Sequence, residues 1–305
     1  MENSFFNFEV SSRMLFLFKK QKKEEESMKN VLLVFVLAVS FVVLASCGSA
    51  SEFDVESETE IVIGLEAAYA PFNWSTPALN EFSFPLAGQS GVYVDGYDVV
   101  MAKHLSDELG LDLVIKAVDW EGLIPALLSG EIDLIIAGMS PTAERAETVS
   151  FSDEYFRSEQ VMVVLNNGSY ANATSLNDFN GARVVSQLGT LQDDLVDQIN
   201  GVNHLDPLDT YGMLATAVST HAADAFIAEL PVAQSMVSSN SELKIIQFAD
   251  GLGFTVSDED VMVSVALRKE DVNLLTLVNE ALSLVSFDQR NQIMADALLR
   301  QPQVS

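Results

Sequence analysis

The sequence predicts an α/β fold built from two similar units. Short apolar runs of strand character alternate with longer stretches of helical period, first from Ile61 and again from Ala182. The 305 residues are 49% hydrophobic, enough to give one large domain or two medium ones their own cores. The two units share a pattern of elements but no strict sequence repeat.

Ile61-Val62-Ile63-Gly64 reads as the first strand. In 98–109, Ala102, Leu105 and Leu109 share one helical face, and Gly110 can close that helix in the left-handed conformation. Leu111, Leu113, Ile115 and Ala117 alternate with Asp112 and Lys116 at strand period. A helix over 121–129 groups Leu123, Ile124, Leu127 and Leu128 and stops at Gly130, and 134–137 is apolar throughout, as in a strand buried on both faces. Thr142 is placed to cap a helix reaching 148. After an extended stretch, 151–165, the pattern restarts with a strand at 182–186 and a helix opened by Gly189-Thr190 that runs to about 199. A helix at 210–219, a buried strand at 225–228, a helix at 230–238 and a strand at 244–248 complete the second unit. A strand at 261–267 and helices at 273–284 and 288–299 could finish either unit; returning to the first would link the units by two crossings, which make a hinge. Residues 75–95, with Pro77, Pro85, Gly88 and Gly91, read as an irregular loop.

Residues 31–45 are apolar except for Ser40, too short for a comfortable membrane span and the right length for the core of a signal peptide. The segment follows Met28, Lys29 and Asn30 and ends in Leu44, Ala45, Ser46 and Cys47, which resembles the lipidation box of bacterial lipoproteins. The expected organisation is therefore an untranslated upstream extension at 1–27, a lipoprotein signal peptide at 28–46 with Met28 as the start, and lipidation of Cys47. A small, polar, acidic tether follows at 47–60. Cys47 is the single cysteine of the chain, so no internal disulfide can form. Residues 1–46 hold 6 of the 16 Lys and Arg and 5 of the 44 Asp and Glu, which leaves 10 basic against 39 acidic residues, a net of −29. Such a field argues against nucleic-acid binding and attracts cations to a cleft, although for most of these carboxylates solubility is a sufficient role.

Four stretches carry a family resemblance when taken in order. They are Gly64 to Phe72 (GLEAAYAPF), Gly96-Tyr97-Asp98-Val99, Trp120 to Leu127 (WEGLIPAL), and Ile132 to Arg145 (IDLIIAGMSPTAER) closed by Val149-Ser150-Phe151-Ser152. Together they resemble the family 3 extracellular solute-binding proteins, which serve bacterial importers of polar amino acids. The resemblance covers Ile61 to the C-terminus. It implies a two-lobed periplasmic-binding-protein-like fold in which each lobe is a sheet flanked by helices, with the ligand in the cleft between lobes and a two-strand hinge. Lobe 1 would comprise 61–160 and 250–305, and lobe 2 would comprise 161–249. It further implies high-affinity binding of a free amino acid outside the cell and delivery to an ABC permease with its ATPase; Cys47 and its export segment separately give the expectation of a monomer lipid-anchored to the outer membrane face. No cofactor or metal is implied, and the 75–95 loop would shape selectivity or touch the permease.

A clamp that withdraws an amino acid from water must replace the hydration of one carboxylate and one ammonium. Arg145, one turn into the helix after the buried strand, suits the carboxylate, since a guanidinium binds it through two parallel hydrogen bonds. Without the motif, a surface arginine pairing with Glu144 or Glu147 would be the plainer reading. The resemblance places the backbone of Gly138 and the hydroxyl of Ser140 at the ligand ammonium and carboxylate, and the N–H groups at Thr190 on the carboxylate. Gln187 and Leu191 fall where members vary with ligand. Glu229 stands where the family usually has an aspartate for the ammonium, although an acid is also favoured there at the start of the helix preceding Pro231. Glu66, Tyr69 and Trp120 match side-chain-selective positions, a carboxylate flanked by two aromatic faces, and this favours arginine or lysine over glutamine or another polar amino acid. The same fold also hosts secreted dehydratases and ligand-sensing receptors. His104, His204 and His221 all fall outside the matched positions, and no nucleophile–base pair or metal-ligand spacing is present, so a binding protein rather than an enzyme is expected.

Overall fold

The computed structural model describes residues 52–302; the expected upstream extension, signal peptide and lipidated Cys47 lie outside the described residues. In chain order the strands are β1 (Glu60–Leu65), β2 (Ala68–Tyr69), β3 (Asn73–Thr76), β4 (Phe84–Pro85), β5 (Tyr93–Asp95), β6 (Asp112–Ala117) and β7 (Leu134–Ile135). They continue with β8 (Ser150–Arg157), β9 (Gln160–Leu165), β10 (Arg183–Val185), β11 (Asn203–His204), β12 (Ala225–Glu229), β13 (Leu243–Ile246) and β14 (Met262–Leu267).

Two five-stranded sheets share one plan. The first has the order β6-β1-β7-β14-β8 and the second β11-β10-β12-β9-β13. In each, three neighbouring strands pair in parallel, one reversed strand (β14 or β9) pairs antiparallel beside them, and a fifth strand in the original direction flanks it. The chain leaves the first sheet after β8, builds the whole second sheet, and returns with β14, so the C-terminal strand and helices belong with the first lobe. At one crossing the Ser158 N–H donates to the Val261 carbonyl at 2.9 Å, which joins the outgoing and returning segments.

Parallel strands need helical crossovers, and the sequence supplies them with recognisable ends. The helix Tyr97–Leu109 buries Val99, Met101, Ala102 and Leu105 and ends at Gly110 with φ 71°, the left-handed closure expected from the sequence. The helix Leu123–Ser129 ends the same way at Gly130, with φ 76°. The helix after Thr142 is shorter than expected, Ala143–Ala146, and that after Thr190 spans only Leu191–Val196. Helices Val272–Ser283 and Phe287–Arg300 close the chain, the second opened by a reciprocal capping box between Ser286 and Gln289.

Two expectations need correction. Residues 75–95 are not irregular throughout: β3, β4 and β5 join β2 in a four-stranded antiparallel sheet of order β2-β3-β5-β4. Nor does the free tether extend to residue 60. Phe53 is buried against the first lobe, and its N–H donates to Asp271 at 2.8 Å. Asp271 in turn faces Arg268, which also meets Asp133 at 3.2 Å and the Ile132 carbonyl at 2.9 Å.

Gly96 joins the small sheet to the first helix. The N–H groups of Tyr97 and Asp98 donate to the carbonyls of Pro71 and Phe72 at 3.0 and 2.8 Å, drawing that loop onto Gly96, whose φ is +138°. A Cβ there would overlap the Phe72 carbonyl oxygen. Gly96→Ala is expected to cost roughly 2–5 kcal/mol through clash and backbone strain together. Urea unfolding measures this, and an unchanged midpoint would show that the 71–73 loop yields freely.

Candidate functional site

In open sheets with parallel strands, ligands collect beyond the carboxyl ends of those strands. Here two such sheets turn those ends toward one cleft. From the first lobe, Glu66 follows β1, Trp120 follows β6, and Gly138 and Ser140 follow β7. From the second, Gln187 follows β10, Thr190 caps the helix Leu191–Val196, and Glu229 is the last residue of β12. The structure brings together Glu66, Tyr69, Trp120, Gly138, Ser140, Arg145, Gln187, Thr190, Leu191 and Glu229, the ten residues expected at a ligand site. Gln192 and Tyr211 line the same cleft and were not anticipated.

Arg145 lines one end of the cleft and gives it a positive charge. Its backbone N–H donates to the Thr142 hydroxyl at 3.4 Å, which seats the short helix. Its Nη1 donates to the Ser140 carbonyl at 3.0 Å and its Nη2 to the Gly189 carbonyl at 3.2 Å, and the guanidinium lies 5.1 Å from the Trp120 ring centroid. Both side-chain bonds go to backbone carbonyls in place of the surface pairing with Glu144 or Glu147. Burial lowers its pKa to about 10, with Glu144, Asp194 and Asp260 acting in the opposite sense, so it stays charged at neutrality. A helix of four residues has little macrodipole, so the charge at this end comes from the guanidinium.

The opposite end is acidic. Glu229 is buried, and burial pushes its pKa up to about 8. Glu66 is raised to about 7, first by burial and further by Asp119, against a hydrogen bond from Gln187. Each acid reaches across the cleft. The Tyr69 hydroxyl donates to Glu229, Gln187 Nε2 donates to Glu66 at 3.1 Å, and Trp120 Nε1 donates to the Gly189 carbonyl at 3.0 Å. These contacts draw the lobes tight, leaving about 10 Å³ of free volume, room for about one water molecule. Gly138, with φ +65°, lets the Tyr69 ring of the same lobe pack close against it, since a Cβ there would meet Tyr69 Cε1 at 2.7 Å.

A buried network fixes the first-lobe wall. Asp98 accepts hydrogen bonds from Asn73 Nδ2 and the Tyr155 hydroxyl, each at 2.8 Å. Asn73 accepts the Ala67 N–H at 2.7 Å and Tyr155 accepts the Gly138 N–H at 3.1 Å. One carboxylate thereby positions both the Glu66 loop and the Gly138 loop. The Gly138 N–H is consumed in this network, which leaves its carbonyl as the group able to meet an ammonium.

Among the described residues no group of three or more His, Cys, Asp or Glu could hold a metal, and no helix is long and apolar enough to cross a membrane.

Comparisons with known proteins agree with this geometry. The arginine-binding extracellular protein ArtP of Bacillus subtilis is 29% identical over 260 residues, 84% of this chain and 92% of that protein. The solved structure of arginine-bound, truncated ArgBP from T. maritima is 30% identical with a TM-score of 0.63, covering 76% of this chain and 99% of that one. An ancestral arginine-binding protein, solved bound to glutamine, is 28% identical with a TM-score of 0.64 over 78% of this chain and 97% of its own. Residues 61–296 match the profile of one family, and the chain belongs to it: the bacterial extracellular solute-binding proteins, family 3.

Proposed function

We propose that this protein binds a basic amino acid, arginine or lysine, outside the cell and delivers it to an ABC import permease. One observation favours this reading above the others. The lining includes two acids and one base, Glu66, Glu229 and Arg145; Arg145 is charged at neutrality, and the acids, raised to about 7 and 8, can be drawn into the ionised form by a cationic ligand. A basic amino acid is the complement, with two cationic groups and one carboxylate. Glutamine would leave Glu66 buried without a counter-charge, and an uncompensated buried charge is costly. Arg145 would take the ligand carboxylate together with Ser140 and the N–H groups at Thr190. Glu229 and the Gly138 carbonyl would take the α-ammonium, and Glu66 the distal cation. The names of ArtP and of the arginine-bound ArgBP support the basic class.

A binding rather than catalytic role follows from the same arrangement. Glu66 and Glu229 each have a charge-matching task, which leaves neither assigned to proton transfer, and the family is one of binding proteins. Lipidation of Cys47 would hold a monomer at the outer face of the membrane, close to the permease. Cys47→Ser would then release the protein into the medium; retention on cells would exclude the anchor.

Glu66→Gln is expected to weaken arginine binding by about 2–3 kcal/mol, as for one partner of a buried charge pair, while leaving glutamine binding unchanged or stronger. Titration calorimetry with both amino acids reads this directly, and equal losses for the two would refute the charge-matching argument.

The pH dependence has a definite sign. Burial holds protons on Glu66 and Glu229 up to about pH 7 and 8, whereas a cationic ligand needs both ionised. Binding therefore expels protons, and by linkage the affinity rises with pH until both acids are ionised in the free protein. Arginine affinity should climb from about pH 6 to about pH 9, past the raised values of both acids, with proton release detected by calorimetry in buffers of different ionisation enthalpy. A flat profile over that range would contradict it.

A further inference from the structure

Tyr211 opens the helix Tyr211–Ser219, and its ring is 1% exposed. It lies 5.0 Å from the Tyr69 ring at a tilt of 41° and 6.3 Å from the Phe226 ring, edge to face. Those neighbours fix the ring, yet the hydroxyl has no hydrogen-bond partner. A buried phenol usually finds one. Among the described residues, Tyr211 is the single side chain that both lines the cleft and holds an unpartnered buried polar atom. Burial pushes its ionisation well above the usual phenol range and the charge of Glu66 pushes it further, so this hydroxyl stays neutral and shares the Glu66 end of the cleft.

That end is rich in acceptors. Glu66 offers a carboxylate and Tyr211 a phenol oxygen, and Gln187 already spends part of its amide on Glu66 and on the Asp209 carbonyl. A guanidinium presents five N–H groups in a planar fork, so it can donate to a carboxylate on one edge and to a second acceptor on another. An ammonium concentrates three donors at one point, and a carboxamide brings an acceptor oxygen that Glu66 repels. Resting on the basic-amino-acid reading above, we propose that Tyr211 determines specificity by accepting a hydrogen bond from a guanidinium, which makes arginine rather than lysine the preferred ligand.

The test is titration calorimetry of the wild-type protein and Tyr211→Phe with L-arginine, L-lysine and L-glutamine, beside the melting temperature of each ligand-free protein. Loss of a hydrogen bond to a charged group should weaken arginine roughly tenfold or more, while lysine and glutamine change by less than about threefold. The ligand-free melting temperature should hold or rise, because the substitution removes a buried group with no partner. Unchanged arginine affinity overturns the proposal. So does an equal loss for all three amino acids, which would mark Tyr211 as a structural residue, and so does a loss confined to glutamine. Wild-type protein that binds glutamine but neither basic amino acid would refute the ligand class itself, an outcome visible before any variant is compared.

Discussion

The cleft depends first on the buried carboxylate of Asp98. It lies at the start of the helix Tyr97–Leu109, away from any ligand, yet both first-lobe loops that face the cleft are tied to it through Asn73 and Tyr155. Burial raises its pKa to about 7, and the hydrogen bonds from Asn73 and Tyr155 resist that rise. A buried carboxyl group with two good donors is held in one place, and its partners with it. The wall that presents Glu66 and Gly138 is therefore set within the first lobe, before closure onto the second. Preorganisation of this kind lowers the ordering cost of binding.

Closure uses groups that a ligand would claim. Arg145 rests on the Gly189 carbonyl, Glu66 on the Gln187 amide, and Glu229 on the Tyr69 hydroxyl. In each pair one member belongs to each lobe. The closed arrangement thus satisfies the cleft with its own side chains, and a ligand must exchange those contacts for better ones. A neutral amide on Glu66 is a weak substitute for a cation, and a neutral backbone carbonyl is a weak substitute for a carboxylate on Arg145. The exchange therefore favours a charged ligand over solvent at both ends, and the strong negative charge of the chain adds attraction for a cationic one.

Much of this was legible in the sequence because strand ends and helix caps have local signatures. The apolar runs located β1, β7 and β12, and cleft-lining residues stand at or just beyond their ends: Glu66 follows β1, Gly138 lies beyond β7, and Glu229 ends β12. Gly110, Gly130 and Thr142 marked helix ends that the structure retains. The small sheet β2-β3-β5-β4 escaped because its strands are two to four residues long, too short for period-two alternation to show, and β3 pairs with β5 across a long insertion. Phe53 escaped because one aromatic in an acidic stretch gives no periodic signal, and its partner Asp271 is distant in sequence. Tyr211 gave no sequence signal beyond its place in the helix expected at 210–219. Its ring does belong to the core; only the tertiary surroundings show that the residue lines the cleft and that its hydroxyl lacks a partner.

Glu229 shows how a departure from the family pattern can be read physically. The family resemblance implies an aspartate at this position, and glutamate adds one methylene. That length lets the carboxyl group meet the Tyr69 hydroxyl on the facing lobe. With its pKa raised to about 8, Glu229 is mostly protonated at neutrality when no ligand is bound, so this contact costs no buried charge. An arriving ammonium reverses the balance, because it stabilises the ionised form that burial opposes. On the function proposed above, the same residue would act as a neutral latch in the empty cleft and as a counter-ion in the filled one, with the longer side chain allowing it to serve both.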